Sequence, residues 1–255
     1  LPNLMGSKSA LPIARLTIGQ FLNEWLANEH QQHIAHTTYK RYISLSNNHI
    51  APCIGHIELQ KVTPVDIQKV LTTMREAGQS PRSQQQARAL LSIALGAAVD
   101  KDYIAINPVS KVRNPINKGK EMQPLTSDEV KRLLETYKGT YLSARLHIAL
   151  LCGLRQGEAL GLRWQDIDLE SGLIQIRVQI QTINGKRDFI GLKTDRSQRT
   201  VALTQSTLEA LTSHRILISE LKTKAGSSWN EYDLVFPEVD GTPKSSTIDY
   251  QSWKR

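Results

Sequence analysis

The stretch Leu173-Ile174-Gln175-Ile176-Arg177-Val178-Gln179-Ile180 alternates apolar and polar side chains, and an Asn-Gly pair follows at 184–185. Period-two alternation gathers the apolar side chains on one face of a strand, whereas a helix would scatter the same residues around its axis. Asn-Gly supplies the positive φ angles that a two-residue hairpin turn requires. Three antiparallel strands are therefore expected, at 173–180, 187–192 and 198–203, with a second polar turn before the last.

Upstream, residues 16–108 carry only helical signals. Thr17 and Gln20 have the spacing of a capping box, and Phe21, Leu22, Trp25 and Leu26 follow as an apolar stripe. A second helix is expected from about Thr37 to His49, ended by Pro52 and Gly55. Thr63-Pro64-Val65-Asp66 opens a third that stops at Gly78, and Ser80-Pro81 opens a long Ala- and Leu-rich helix to about Asp100. Residues 1–15 form an N-terminal extension. Residues 109–121 lack an apolar period and carry Lys111, Arg113, Lys118 and Lys120, as expected of a linker with a basic face. The second domain, 122–255, opens with the capping box Thr126–Glu129 and a buried helix near 140–152. After the strands come a helix capped by Thr204, an extended piece at 233–237 and a helix opening at Ser245 or Ser246.

Charge points to a partner. Thirty-two Lys and Arg against 24 Asp and Glu give a net charge of +8, which favours a polyanion. No apolar run approaches the roughly 18 residues of a membrane span, so no membrane association is expected. The two cysteines, Cys53 and Cys152, have no zinc-like spacing and fit a reducing cytoplasmic setting. The first residues have no charged segment followed by an apolar one, so no secretory signal is expected. His30, His33 and His36 recur every three residues, but no cysteine or carboxylate pair completes a ligand set, so no metal is expected. Asp166 and Asp168 are better explained by turn chemistry after Trp164. Neither a Walker loop nor a GxGxxG motif occurs, so no cofactor is expected.

Two groups carry potential chemistry. Arg155 sits in Gly153-Leu154-Arg155-Gln156-Gly157-Glu158, where a guanidinium at a helix start can grip two oxygens of one phosphate. On spacing alone, an ordinary Arg155–Glu158 surface pair explains it as well. Lys193 lies in the polar turn Lys193-Thr194-Asp195-Arg196-Ser197-Gln198-Arg199, where spacing alone gives a solvated charge. Together, Gly-x-Arg-x-x-Glu, the following Leu162-x-Trp164-x-Asp166-Ile167-Asp168 and the Lys193 turn closely resemble the phage-integrase or tyrosine site-specific recombinase family.

The resemblance implies an all-helical, SAM-like core-binding domain followed by an incomplete α+β catalytic domain with a three-stranded antiparallel sheet, the two closing around double-stranded DNA. It implies that Arg155 contacts the scissile phosphate and that Lys193 protonates the departing 5′ oxygen. Glu158 and Asp166 are then structural. Arg196 and Arg199 are phosphate-backbone contacts or strand-face charges, and Lys111, Arg113, Lys118 and Lys120 follow the phosphates. Further copies of the chain are expected on the DNA. The family also needs a His-x-x-Arg box and a nucleophilic Tyr, yet none of the seven histidines is followed three residues later by Arg. Tyr232 and Tyr250 follow no such box, and Tyr250 is assigned to packing. The expected function is the DNA-binding portion of an integrase that cuts and rejoins DNA through a 3′-phosphotyrosyl intermediate, inactive alone. The alternative is a non-catalytic DNA-binding remnant or regulator.

Overall fold

The computed structural model describes residues 15–116, 119, 122–183, 185–192 and 198–253. It divides into two compact units, Leu1–Glu121 and Met122–Arg255.

The first unit is helical: α1 (Ile18–Asn28), α2 (His36–Leu45), α3 (Ala51–Ile54), α4 (Pro64–Glu76) and α5 (Pro81–Asp100). Reciprocal capping boxes start α1 at Thr17 and α4 at Thr63, and the Ser80 hydroxyl caps α5. Each satisfies backbone N–H groups that the first helical turn leaves without partners. Leu22, Leu26, Ile50, Ile54, Ile67, Leu90 and Leu91 are all but inaccessible and form one core. Of the two residues expected to end the second helix, Pro52 does not and Gly55 does. A π-type turn at Ser46–Ile50 loosens the backbone ladder just ahead of Pro52 and carries the helix on into α3 despite the missing N–H. Gly55 ends α3. His30 stacks on Trp25 at 4.2 Å and on Tyr42 at 5.7 Å between ring centroids. Burial, and then His33, lower its pKa.

The segment expected to be linker from residue 109 begins inside this core. Val109 and Val112 are buried, and Arg88 on α5 donates to the carbonyls of both, at 3.2 Å and 2.8 Å. Gln85 donates to the Pro115 carbonyl at 2.7 Å. Two isolated valines in a polar run show no period, so the sequence pattern misses them.

The second unit contains α6 (Ser127–Thr136), α7 (Leu142–Leu150), α8 (Gln156–Leu160), β1 (Ile167–Asp168), β2 (Leu173–Ile176), β3 (Val178–Ile183), β4 (Lys186–Gly191), β5 (Arg199–Ala202), α9 (Gln205–Ala225) and α10 (Ser246–Ser252). It has a three-stranded antiparallel sheet, in the order β1-β2-β5, and a separate two-stranded hairpin, β3-β4. The members of the three-stranded sheet differ from those expected. The run 173–180 divides at Arg177, where the chain passes from one sheet to the other, and β1 takes the place assigned to the hairpin. Ile174 and Ile176 point into the main core with Ile148, Leu162, Leu211, Val235 and Phe236, while Ile180 joins a smaller cluster with Leu160 and Leu234. Continuous alternation therefore hides a change of sheet. The hairpin registers Ile183 opposite Lys186, with Gly185 at φ +80° as the turn requires.

Two outcomes test this architecture. A helical fragment ending at Pro108 lacks Val109 and Val112 and should be less stable to urea than one ending at Ile116, by roughly 1.5–3 kcal/mol for each valine. His214 on α9 is buried, its Nε2 donates to the Val235 carbonyl at 2.7 Å, and burial pushes its pKa down from 6.5 to about 4. Below pH 6.5 the unfolded chain takes up a proton that the folded chain refuses. Stability of this unit should therefore fall between pH 6.5 and 4, by roughly 3 kcal/mol from this group, and His214→Gln should flatten that slope in pH-dependent melts.

Candidate functional site

The site is built at the start of α8. Gly153, at φ +63°, turns the chain out of the buried helix α7 in a conformation that side chains rarely adopt. Arg155 is the N-cap of α8, with extended backbone angles, and its side chain is 72% exposed. Glu158, one turn on, is 1% exposed by its side chain. Its Oε2 accepts the Arg155 backbone N–H at 2.9 Å, and its Oε1 accepts from Arg155 Nη1 at 2.8 Å. Strand β5 brings a second guanidinium to the same carboxylate: Arg199 Nη2 donates to Oε2 at 2.9 Å and to the Gly153 carbonyl at 3.4 Å.

Burial raises the Glu158 pKa, but hydrogen bonds from Arg199 and Arg155 outweigh it, and the carboxyl titrates below its ordinary value. One buried anion thus gathers two cations, leaving a local excess of one positive charge. Arg155 Nε and Nη2 have no acceptor among the described residues, and the guanidinium faces solvent. An anion with two oxygens fits such a fork. Asp166 is also buried, with Arg177 Nη1 3.8 Å away, and burial raises its pKa despite that neighbour. It lies in the tight turn leading to β1 and takes no part in the Arg155 cluster.

Helix α8 lies directly on strand β3. A Cβ at Gly157 would come within 3.1 Å of the Ile180 carbonyl oxygen, and one at Gly161 within 3.1 Å of the Ile180 nitrogen. Lys193 and Arg196 lie outside the described residues, between β4 and β5, as do Lys118 and Lys120 farther upstream.

The phage integrase family profile matches residues 123–255, more than half of the chain, and the profile for the phage integrase N-terminal SAM-like domain matches residues 17–75. The chain belongs to the phage integrase family. Among curated relatives, a tyrosine recombinase XerC-like protein of Caldanaerobacter subterraneus subsp. tengcongensis is 28% identical over 92% of this chain, and an integrase of Streptomyces ambofaciens is 27% identical over 91%. The chain spans 64% and 60% of their respective lengths. Among solved structures, a Tn1549 transposon integrase in complex with a circular intermediate DNA is similar with a TM-score of 0.76 at 20% identity, over 92% of this chain and 75% of that one. A lambda integrase tetramer bound to a Holliday junction gives 0.66 at 20%, over 94% and 63%. At these identities the likeness is one of fold: a helical SAM-like domain followed by the integrase catalytic fold with its three-stranded antiparallel sheet.

Other residues of the integrase fold were less legible. In the helical unit, Lys111 and Arg113 are exposed and line a groove with Lys69 of α4. Between α2 and α5, Thr37, Thr38, Arg41, Arg82 and Gln86 line a cavity of about 470 Å³. Arg41 and Arg82 escaped the sequence reading, although Thr37 and Arg41 stand one helical turn apart. In the second unit, α10 corrects the assignment of Tyr250 to packing. Tyr250 is 57% exposed, and Asp249 beside it is buried. One step along a helix turns the side chain by about 100°, which separates the two. Asp249 accepts from Arg145 Nε at 3.2 Å and Nη2 at 3.0 Å, an ion pair with both side chains out of water. A lone Arg in the apolar run of α7 was the available signal.

Glu158→Gln should lower stability by about 1–3 kcal/mol near neutral pH, because it removes the charge from bonds made by two guanidiniums. The Glu158 pKa is depressed by folding, so its contribution is present above the unfolded-state value and is lost as pH falls through the folded one. Chemical denaturation of both proteins across the acid range should show their difference shrinking as pH drops.

Proposed function

We propose that this chain is the DNA-binding portion of a site-specific tyrosine recombinase that works on DNA integration in the cytoplasm. The observation that carries the reading is the exposed Arg155 guanidinium held by the buried Glu158 carboxylate, with Arg199 on the same anion. In this reading Arg155 grips the scissile phosphate and offsets charge that builds on its oxygens as the phosphorus becomes five-coordinate. A tyrosine hydroxyl attacks that phosphorus and gives up its proton to solvent, the bond from phosphorus to the 5′ oxygen breaks, and Lys193 gives that oxygen a proton. The resulting 3′-phosphotyrosyl bond is later attacked by a 5′ hydroxyl, which restores the phosphodiester and frees the tyrosine. No metal or external energy source is required.

Arg199 acts here chiefly through Glu158, and Arg196 adds a backbone contact. On the helical unit, Lys111, Arg113, Lys118 and Lys120 meet backbone phosphates, as do Arg41 and Arg82 in their groove. The partner is double-stranded DNA, together with further copies of the chain, a reading supported by the lambda integrase tetramer on a Holliday junction and by the net charge of +8.

Gel shifts on duplex DNA should lose affinity on the order of tenfold or more between about 50 and 200 mM salt, through counterion release. On a suicide substrate the 255-residue chain should bind and leave no covalent adduct. In a longer protein that carries the nucleophile, Arg155→Ala should slow cleavage on the order of a hundredfold or more. Lys193→Ala should slow it too, with rescue by a sulfur leaving group that departs without a proton. Salt-independent binding, or an adduct through Tyr250, would contradict the reading.

A further inference from the structure

Helix α8 has only five residues, too few to hold its own shape in water. The direction of the Arg155 guanidinium therefore depends on what fastens its first turn. Glu158 fastens it from within. A second buried carboxylate fastens it from outside: Gln156, the residue after Arg155, donates from Nε2 to Asp249 Oδ2 at 2.9 Å and to the Ser246 carbonyl at 2.9 Å. Both acceptors belong to α10. Asp249 is itself fixed by the two-pronged Arg145 contact, and the Arg145 guanidinium lies 5.9 Å from the Phe236 ring centroid and 5.1 Å from that of Trp253. Side chains from α7, α10 and α8 thus form a continuous polar path that ends one residue from Arg155.

We propose that Gln156 and Asp249 are positioning residues for Arg155, so that the seating of α10 sets the pose in which Arg155 meets a phosphate. The proposal rests on the reading of Arg155 as a phosphate ligand. Because Gln156 is bonded only at its amide end, removing it leaves the Arg145–Asp249 pair in place. A buried pair that served stability alone would be indifferent to whether Arg155 is present. Coupling is reciprocal, so phosphate held by Arg155 also favours the seated α10.

The test is a double-mutant cycle on the 255-residue chain, with affinity for a short duplex read by fluorescence anisotropy at fixed salt. Gln156→Ala should weaken binding about three- to tenfold when Arg155 is present, the size of coupling usual between neighbouring groups. It should change nothing when Arg155 is already Ala. Asp249→Asn, followed in the same cycle with thermal melts to verify folding, should show the same dependence on Arg155. A full loss that persists in the Arg155→Ala background, or no loss in the parent, overturns the positioning role while leaving Arg155 as a phosphate ligand. If Arg155→Ala itself binds as tightly as the parent, the phosphate reading fails, and the inference falls with it.

Discussion

The second unit depends on one buried negative charge. Taking the Glu158 carboxylate out of water is costly, and the cost is met only because a backbone N–H and two guanidiniums converge on it. That requirement joins the turn at Gly153 and the adjoining short helix α8 to the strand β5, 41 positions along the chain from Glu158 to Arg199. Arg155 is consequently anchored at one nitrogen while the rest of its fork faces solvent. A long flexible side chain ordinarily loses considerable rotamer freedom on binding an anion, and a fork already held loses less. The carboxylate fixes one nitrogen of the arginine and leaves the others open to solvent.

What could be read from the sequence was local. The Thr17–Gln20 and Thr126–Glu129 capping boxes form as their three-residue spacing requires, because the groups that satisfy each other lie within one turn. The same reach explains why Arg155 and Glu158 were legible as a pair, and the hairpin turn was legible through Gly185, whose positive φ a glycine adopts without steric cost. What the sequence hid was set by residues far apart. Arg199 reaches Glu158 across 41 positions and Arg145 reaches Asp249 across 104, and no periodicity records either. The division of the 173–180 run at Arg177 was hidden for another reason. Both halves alternate in phase, so a change of sheet leaves the pattern intact.

The helical unit shows the same distinction. Its amphipathic stripes and caps predicted the helices, while the continuation past Pro52 required a π-type turn that proline neither forbids nor announces. Val109 and Val112 became core residues because Arg88 reaches back to their carbonyls. Residues 109–112 lacked a periodic signature because a single 3₁₀ turn is too short to have one.

The close seating of α8 on β3 bears on the segment that contains Lys193. With hydrogens for side chains at 157 and 161, α8 rests against the backbone of the hairpin, so the strand that leads into this segment belongs to the same body as Arg155. The strand that leads out begins with Arg199, tied to Glu158. Both flanking strands, β4 through the glycines at 157 and 161 and β5 through Glu158, are thus fastened to the short helix that starts beside Arg155.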